Sequence, residues 1–306
     1  MALSLTFLGT GGAFTDFRLN YHNNALIHTR DGYVLLDCGG SAMQSLKELG
    51  VNPKEIAAVL ITHMHGDHVS GLEQLIWERY YSGVNGPSFK TTRVVATPDV
   101  WASIRAFLEP LIREFTDSTG TIRDDGIDAL VRPECLDGDP LGDALESRGE
   151  VLTIGGVSFQ FHRTPHVQSE ATGVSKPCYG VRVWDEEGGE MYYTSDTEFR
   201  VDIGERFPAS DVIFHDSTFT PLYPGSVHTH YSELLSLPET TKNRVVLMHF
   251  TRVPDGIDVR ESGFVGAARR HDTWMVNPKT GAECVSSGPI GVDEEAQTSG
   301  LEWVDP

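Results

Sequence analysis

The sequence Thr62-His63-Met64-His65-Gly66-Asp67-His68 places four metal-binding side chains within six residues. It directly follows the short apolar run 57–61, which predicts a buried strand. The motif then lies on the loop at the carboxyl end of that strand, where proteins often carry functional residues. His63 and His65 point the same way in an extended segment, whereas the adjacent Asp67 and His68 diverge. One loop can therefore supply ligands to two metal ions, and this clustering disfavours a surface loop with incidental histidines.

The composition is that of a globular protein rather than a membrane or disulfide-rich one. The chain has 306 residues, enough for one large domain or two small ones. It has no apolar run of about 18 residues, so we expect no membrane span. The N-terminus lacks the basic region of a signal peptide. The four scattered cysteines indicate free thiols in a reducing compartment, so we expect a cytoplasmic protein.

The formal net charge of −20 gives the chain no overall attraction for nucleic acid. The charge therefore lowers the expectation of a long polyanionic substrate. An acidic surface that serves only solubility or salt adaptation is the simpler explanation.

Alternating and periodic segments predict a single domain over residues 1–280, followed by a C-terminal tail at 281–306. The stretch of about 117–150 is rich in Asp, Gly and Pro and is weakly patterned, so we interpret it as an acidic insertion or lid. The last helix is expected near residues 259–270, and Ser232 is expected to cap a short helix.

Several predicted strands share one property, which is that they end in His or Asp, at positions 63, 166, 196, 215 and 249. If these strands are neighbours, their ends converge on one edge of the fold. Seven ligand-type residues suffice for two metal ions that share a carboxylate.

The order of these residues resembles the metallo-β-lactamase superfamily. The resemblance rests on the motif 63–68, on His166, Asp196 and His249, and on the opening segments 7–12 and 35–39. It implies an α/β fold, an αββα sandwich of two mixed β-sheets flanked by helices. It also implies two divalent metal ions, zinc in most members, with manganese as the alternative.

The resemblance assigns each ligand to a metal. His63, His65 and His166 would bind one ion; Asp67, His68 and His249 would bind the other; and Asp196 would bridge the two. Asp67 would also orient the attacking hydroxide that the two ions share. Asp37 matches a residue that orients the ligands.

Within the superfamily, the chain is most similar to the tRNA 3′-processing endonucleases and related cyclic-nucleotide phosphodiesterases. The segment His215-Asp216-Ser217-Thr218-Phe219 resembles their His-Glu-Ala-Thr-Phe, with Asp in place of Glu. By resemblance, Asp216 and His228 would form the pair that protonates the leaving oxygen. His230 is the rival for the second position.

One departure from the tRNA-processing enzymes concerns the long Gly/Pro-rich arm with which they clamp tRNA. Only residues 185–190 separate the two strands that would flank the arm here, so no arm fits. The sequence therefore favours hydrolysis of a small nucleotide phosphodiester, a cyclic nucleotide first of all. A tRNA 3′-endonuclease and a lactone, thioester or β-lactam hydrolase remain the alternatives. Relatives of this kind are often homodimers, which we also expect here.

Overall fold

The protein is described by a computed structural model that covers residues 2–81, 91–117, 119–140, 148–169, 173–221 and 226–286. Nineteen strands lie in these ranges: β1 (Ser4–Gly9), β2 (Asn24–Thr29), β3 (Gly32–Leu36), β4 (Ile56–Leu60), β5 (Thr92–Ala96), β6 (Glu114–Thr116), β7 (Ile122–Asp124), β8 (Val131–Cys135), β9 (Leu152–Ile154), β10 (Val157–Arg163), β11 (Gln168–Ser169), β12 (Val174–Ser175), β13 (Tyr179–Asp185), β14 (Glu190–Tyr193), β15 (Val212–Asp216), β16 (Val245–Met248), β17 (Gly266–Ala267), β18 (Thr273–Asn277) and β19 (Gly281–Ser286).

The α-helices within the same ranges are α1 (Ala42–Glu48), α2 (Gly66–Val69), α3 (Leu72–Tyr81), α4 (Pro98–Ile112), α5 (Ile203–Arg206), α6 (Tyr231–Leu234) and α7 (Glu239–Lys242), and two short 3-10 helices lie at Pro53–Glu55 and Ile127–Ala129. Local chemistry explains their ends. Pro98 begins α4 at a position where its missing N–H costs nothing. Gly50 follows α1 with φ of +71°, a conformation that favours glycine and stops the helix.

The strands form two large mixed sheets. The first has the order β19-β18-β1-β2-β3-β4-β5-β8, and the second has the order β17-β16-β15-β14-β13-β10-β9. In the first sheet β3, β4, β5 and β8 run parallel. In the second, β14 to β17 run parallel. The carboxyl ends of the parallel strands in each sheet therefore lie at one edge of that sheet.

The two sheets pack face to face with helices outside. The ring of Phe7 in β1 meets that of Phe214 in β15 at 5.4 Å between centroids, and Phe214 also contacts Trp274 of β18. Ile213, one residue before Phe214, packs instead with Leu234 of α6 on the outer face of the second sheet. This alternation is the period of two that a strand covered on both faces requires. The predicted αββα sandwich is confirmed.

The predicted helix near residues 259–270 is wrong. The segment forms turns that lead into the short strand β17. Gly263 adopts φ of +92°, outside the helical region, and glycine in a helix interior costs about 1 kcal/mol relative to alanine. Val259 and Phe264 pack into the outer core beside α6.

The segment 117–150 is not an insertion over its whole length. β8 lies inside it and pairs in parallel with β5 at the edge of the first sheet. Its pattern is weak because an edge strand exposes much of its length, and Arg132 and Pro133 are exposed here. Residues 118 and 141–147 lie outside the described residues.

The predicted tail begins later than position 281. β19 pairs with β18 and extends the first sheet to Ser286, whereas residues 287–306 lie outside the described ranges. Across the part of the chain that the structure covers, no helix combines the length and the apolar character needed to cross a membrane. All four cysteines are free thiols.

Candidate metal centre

The motif of residues 62–68 leaves β4 and turns directly into α2. His65 is extended, with φ of −74° and ψ of 153°, and stands immediately before the helix. Asp67 and His68 lie within the helix, where successive side chains diverge by about 100°. The chain changes from extended to helical inside the motif, so the side chains of His63 and His65 point in a different direction from those of Asp67 and His68.

The first group of ligand atoms comes from His63, His65, His166 and Asp196, all within 4.8 Å of one another. His63 Nε2 lies 3.4 Å from Asp196 Oδ2, and His166 Nε2 lies 3.6 Å from the same oxygen. His166 Nε2 and His65 Nδ1 are 3.1 Å apart. These nitrogens and one carboxylate oxygen thus face a common point.

The second group comes from Asp67, His68, His249 and again Asp196. The Nε2 atoms of His68 and His249 each lie 3.2 Å from Asp196 Oδ1. Each also lies 3.3 Å from Asp67 Oδ2. Asp196 therefore turns Oδ2 toward the first group and Oδ1 toward the second, so that one carboxylate could serve two ions.

The donor set fits a pair of transition-metal ions. Among the residues that the structure describes, His63 Nε2, His68 Nε2, Asp67 Oδ1 and Asp196 Oδ1 are buried without a hydrogen-bond partner. Such atoms are costly unless something satisfies them. Ligand atoms about 2.0–2.2 Å from one tetrahedral ion lie roughly 3.3–3.6 Å apart. The nitrogen–oxygen distances within the two groups, 3.2–3.6 Å, are close to this range.

Two of the histidines are held with Nε2 free for a metal. His68 Nδ1 donates to Asp37 Oδ2 at 2.7 Å, and His166 Nδ1 donates to the backbone carbonyl of Val227 at 2.9 Å. A hydrogen bond that holds the proton on Nδ1 leaves the Nε2 lone pair available to a metal. Asp37, which the resemblance marked as an orienting residue, contacts His68 directly.

The pKa values differ among the five histidines of the two groups. For His63, His68 and His249 the neighbouring acidic groups outweigh burial and raise the pKa, to about 9 for His63, so a metal ion would displace a proton from each of these three. Burial lowers the pKa of His65 and of His166 to about 4, so both imidazoles are neutral near pH 7, as a metal ligand must be. Burial alone would raise the pKa of Asp67, but the neighbouring His68 and His249 outweigh it and hold that pKa far below its usual range. Asp67 is therefore an ionised carboxylate.

Asp216 and His228 meet beside these ligands. Asp216 ends β15 and is fully buried; its Oδ2 accepts from His228 Nδ1 at 2.9 Å and from the Thr197 backbone N–H at 2.9 Å. The His228 ring stacks on His249, and its side chain is 26% exposed. Burial would lower the pKa of His228, but the Asp216 carboxylate outweighs it and raises that pKa. The pair thus has one buried carboxylate and one accessible imidazole.

His230 has a different position. It is the N-cap of α6, where its Nδ1 accepts from the backbone N–H of Ser232 at 3.1 Å. The expectation that Ser232 caps this helix is therefore wrong by two residues. His215, at one of the recurrent strand ends, turns its Nδ1 to the backbone carbonyl of Asp216 and belongs to neither ligand group.

Sequence reasoning missed three contributors to the site. Val227 acts through its backbone carbonyl, for which no sequence signal exists. Thr62 and Ser195 join the buried network through their hydroxyls, which are 2.8 Å apart. Their only signal is adjacency to ligands, since Thr62 precedes His63 and Ser195 precedes Asp196.

Backbone strain is concentrated at this site. Asp37, Ser195 and His249 all have positive φ, at 60°, 53° and 68°. Each non-glycine residue in such a conformation costs of the order of 1–3 kcal/mol and persists only where its surroundings impose it. All three lie just beyond the ends of strands, where the chain turns toward the ligands.

Comparison with known proteins identifies relatives. The family model described as Anti-Pycsar protein Apyc1 matches residues 3–274. The protein of that name from Paenibacillus sp. (strain J14) is 32% identical over 256 residues, covering 82% of this chain and 90% of the relative. The one from Saccharibacillus brassicae is 30% identical over 256 residues, covering 81% and 90%.

Solved structures share the fold at low identity. The metallo-beta-lactamase fold protein YhfI from Bacillus subtilis superimposes with a TM-score of 0.64 at 17% identity, covering 90% of this chain and 99% of that one. The short form of human tRNase Z gives 0.60 at 18%, covering 90% and 99%. Zn(2+)-bound PqqB from Methylobacterium extorquens gives 0.60 at 14%, covering 88% and 99%.

Proposed function

We propose that this chain, which belongs to the family described as Anti-Pycsar protein Apyc1, opens a small cyclic nucleotide by hydrolysis of its phosphodiester bond. The chain is a metal-dependent hydrolase that acts on phosphodiester bonds. The observation that carries the finer proposal is the contact between Asp216 and His228 beside the ligand groups. A hydrolase of lactones, thioesters or β-lactams has less use for such a pair.

Seven residues would hold two metal ions, for which zinc is our first proposal and manganese the second. His63, His65 and His166 would bind one ion, and Asp67, His68 and His249 the other, with Asp196 shared. When bound, divalent ions supply Lewis-acid polarisation of the phosphoryl oxygens and activation of water at neutral pH. Imidazole and carboxylate ligands suit zinc, and PqqB of the same fold is a zinc-bound protein.

His228 would act on the leaving oxygen. Asp216 holds the Nδ1 proton of His228 and favours the charged imidazolium, so the ring can release a proton from its other nitrogen. The partial exposure of the side chain leaves room for a substrate atom, whereas the buried Asp216 is shielded from solvent. General acid catalysis of this kind contributes about 10²–10⁴-fold.

Asp67 would orient the attacking water. Its Oδ1 is buried and has no hydrogen-bond partner within the described residues, whereas its Oδ2 faces His68 and His249. One oxygen can therefore ligate while the other accepts a hydrogen bond from water. This division gives Asp67 both roles that the resemblance assigns to it.

The turn between β13 and β14 supports a small substrate over tRNA. Trp184 pairs with Glu190, and the chain reverses between them through Gly188 with φ of +93°. No segment long enough to clamp tRNA leaves the sheet between these two strands. The likeness to tRNase Z concerns the fold alone at 18% identity. The homodimer and the cytoplasmic location remain predictions from the sequence.

The general acid is tested by His228→Ala. We expect kcat for a cyclic nucleotide to fall by about 10²–10⁴-fold, because the ribose oxygen is a poor leaving group without a proton. The loss for bis(p-nitrophenyl) phosphate should be much smaller, because p-nitrophenolate leaves without protonation. Both rates are measured on protein whose metal content has been determined.

The matched control is His230→Asn, which changes a neighbouring histidine but keeps a good helix cap. We expect its rates to equal those of the wild type. Equal losses on both substrates in His228→Ala, or none on either, would contradict the proposed role of His228.

A further inference from the structure

The Thr62 hydroxyl is a buried polar group beside the ligands that contacts several of their neighbours at once. Thr62 is fully buried between β4 and the ligand motif. Its Oγ1 lies 2.8 Å from Asp37 Oδ2, 3.1 Å from His63 Nδ1 and 2.8 Å from Ser195 Oγ. The hydroxyl therefore contacts three other residues that each adjoin or bind the proposed metal positions.

Counting protons fixes the direction of these hydrogen bonds. The Asp37 carboxylate also accepts from the Thr62 backbone N–H and from His68 Nδ1. An ionised carboxylate can only accept, so the single proton of the Thr62 hydroxyl goes to Asp37. The other two neighbours must then donate to Thr62 Oγ1, because it has no second proton to offer.

This direction sets the state of one ligand in each group. His63 carries its proton on Nδ1, so its Nε2 lone pair faces the first group of ligands. His68 carries its proton on Nδ1 toward the same Asp37, so its Nε2 faces the second group. One buried carboxylate thus orients a ligand of each proposed ion, directly for His68 and through Thr62 for His63.

The same hydroxyl also joins the two sheets. Thr62 follows β4 of the first sheet, and Ser195 follows β14 of the second. Ser195 precedes Asp196, the carboxylate that faces both ligand groups, and has a strained φ of 53°. Its hydrogen bond to Thr62 therefore contributes to fixing Asp196 against the motif loop.

We propose that Thr62 is a positioning residue that couples the two metal positions, so that loss of its hydroxyl weakens metal binding at both. The proposal rests on the pair of metal positions proposed above but not on the identity of the substrate. A wild-type protein that bound fewer than two ions would refute that premise. Two tightly bound ions together with an unaffected variant would refute the coupling alone.

The test compares metal affinities of three variants by competition with a chelator, with zinc as the probe. In Thr62→Val we expect the dissociation constants of both ions to rise by about 10- to 100-fold, the usual effect of losing a partner of a ligand. Thr62→Ser keeps the hydroxyl and should stay within a few-fold of the wild type. Thr6→Val is the control. In the wild type the Thr6 hydroxyl hydrogen-bonds to His28 Nε2 and Thr273 Oγ1, and neither residue belongs to the two ligand groups.

The proposal would be overturned if Thr62→Val weakened the binding of only one ion. It would also be overturned if Thr62→Ser bound both ions as weakly as Thr62→Val does. A second measurement does not depend on the variant folding. In the zinc-loaded wild type with ¹⁵N-labelled histidine, NMR should show the His63 ring protonated at Nδ1. A His63 ring protonated at Nε2 would contradict the hydrogen-bond direction.

Discussion

The carboxylate of Asp196 connects the two halves of the site, because each of its oxygens faces a different set of nitrogens. Oδ2 faces His63 and His166, and Oδ1 faces His68 and His249. The motif loop after β4 of the first sheet supplies only part of each group, and the rest comes from residues that follow strands of the second sheet. The site therefore depends on how closely the two sheets approach at this edge.

Gly39, which follows β3 of the first sheet, packs so closely against the motif loop that it leaves no room for a side chain. A Cβ at this position would lie 2.0 Å from the backbone oxygen of Asp67, and backbone cannot yield as a flexible side chain can. We expect Gly39→Ala to displace the motif loop, to lower the free energy of unfolding by at least about 1–3 kcal/mol and to lower the bound metal. Chemical denaturation and metal analysis measure the two effects.

The neighbouring Gly40 gives the matched control. A Cβ there would meet Ser70 Oγ at 3.2 Å, a contact that a small side-chain shift can relieve. Gly40→Ala should therefore keep its metal. If Gly39→Ala kept full metal content and stability, the tight contact between residues 39 and 67 would not matter to the site.

The residues proposed as ligands could be selected from the sequence because their types and spacing are distinctive in themselves, and the structure brings them together. The motif of residues 62–68 needs no knowledge of the fold to suggest two metal ions. The role of Thr62 could not be predicted, because its partners include Ser195, which lies 133 positions away on the other sheet. The preference for His228 over His230 came from the resemblance, and the contact of His228 with Asp216 supports it, whereas His230 caps α6.

At the scale of the elements, β15 links the core to the site. Phe214 fills the space between the sheets, and Asp216, two residues later on the same strand face, holds His228. We expect Phe214→Ala to lower the free energy of unfolding by about 3–5 kcal/mol, because the cavity opens between both sheets. Urea denaturation provides the measurement.

Phe14→Ala is the control for this substitution, because Phe14 is fully exposed and an exposed change away from special contacts stays within about 0.5 kcal/mol. A similar small effect for Phe214→Ala would show that the two sheets do not rely on this ring for their packing.

The elements that sequence reasoning predicted well are those with strong local signals. The hairpin of β2 and β3 and that of β13 and β14 have apolar or alternating strands around glycine turns. Sequence reasoning failed for β8 and for the segment 259–270, where tertiary packing decides. β8 forms because it pairs with β5 at the edge of the first sheet. Residues 259–264 form turns that let both Val259 and Phe264 pack into the outer core.

At the scale of the whole molecule, two parallel sheet regions bring their carboxyl ends to one edge. β4 in the first sheet and β14, β15 and β16 in the second lead to the motif loop, Asp196, Asp216 and His249. Strand order explains why ligands far apart in sequence meet. This order could not be predicted from local patterns; the resemblance to a known superfamily implied only the αββα sandwich.

The net charge of −20 also acts at this scale. Repulsion between the acidic surface and a long polyanion disfavours tRNA, whereas a small nucleotide carries few charges to repel. The short turn between β13 and β14 points the same way, because it offers no clamp for a large RNA. Charge and topology are therefore both consistent with the small-nucleotide substrate proposed above.

The most direct test of the central claim is a side-by-side hydrolysis assay on the metal-loaded wild type. Cyclic mononucleotides, cyclic dinucleotides and a precursor tRNA with a 3′ trailer are incubated with equal amounts of enzyme, and the products are separated and quantified. We predict that at least one cyclic nucleotide is opened to its linear form and that the tRNA remains intact. Removal of the trailer with every cyclic nucleotide left unopened would contradict the account.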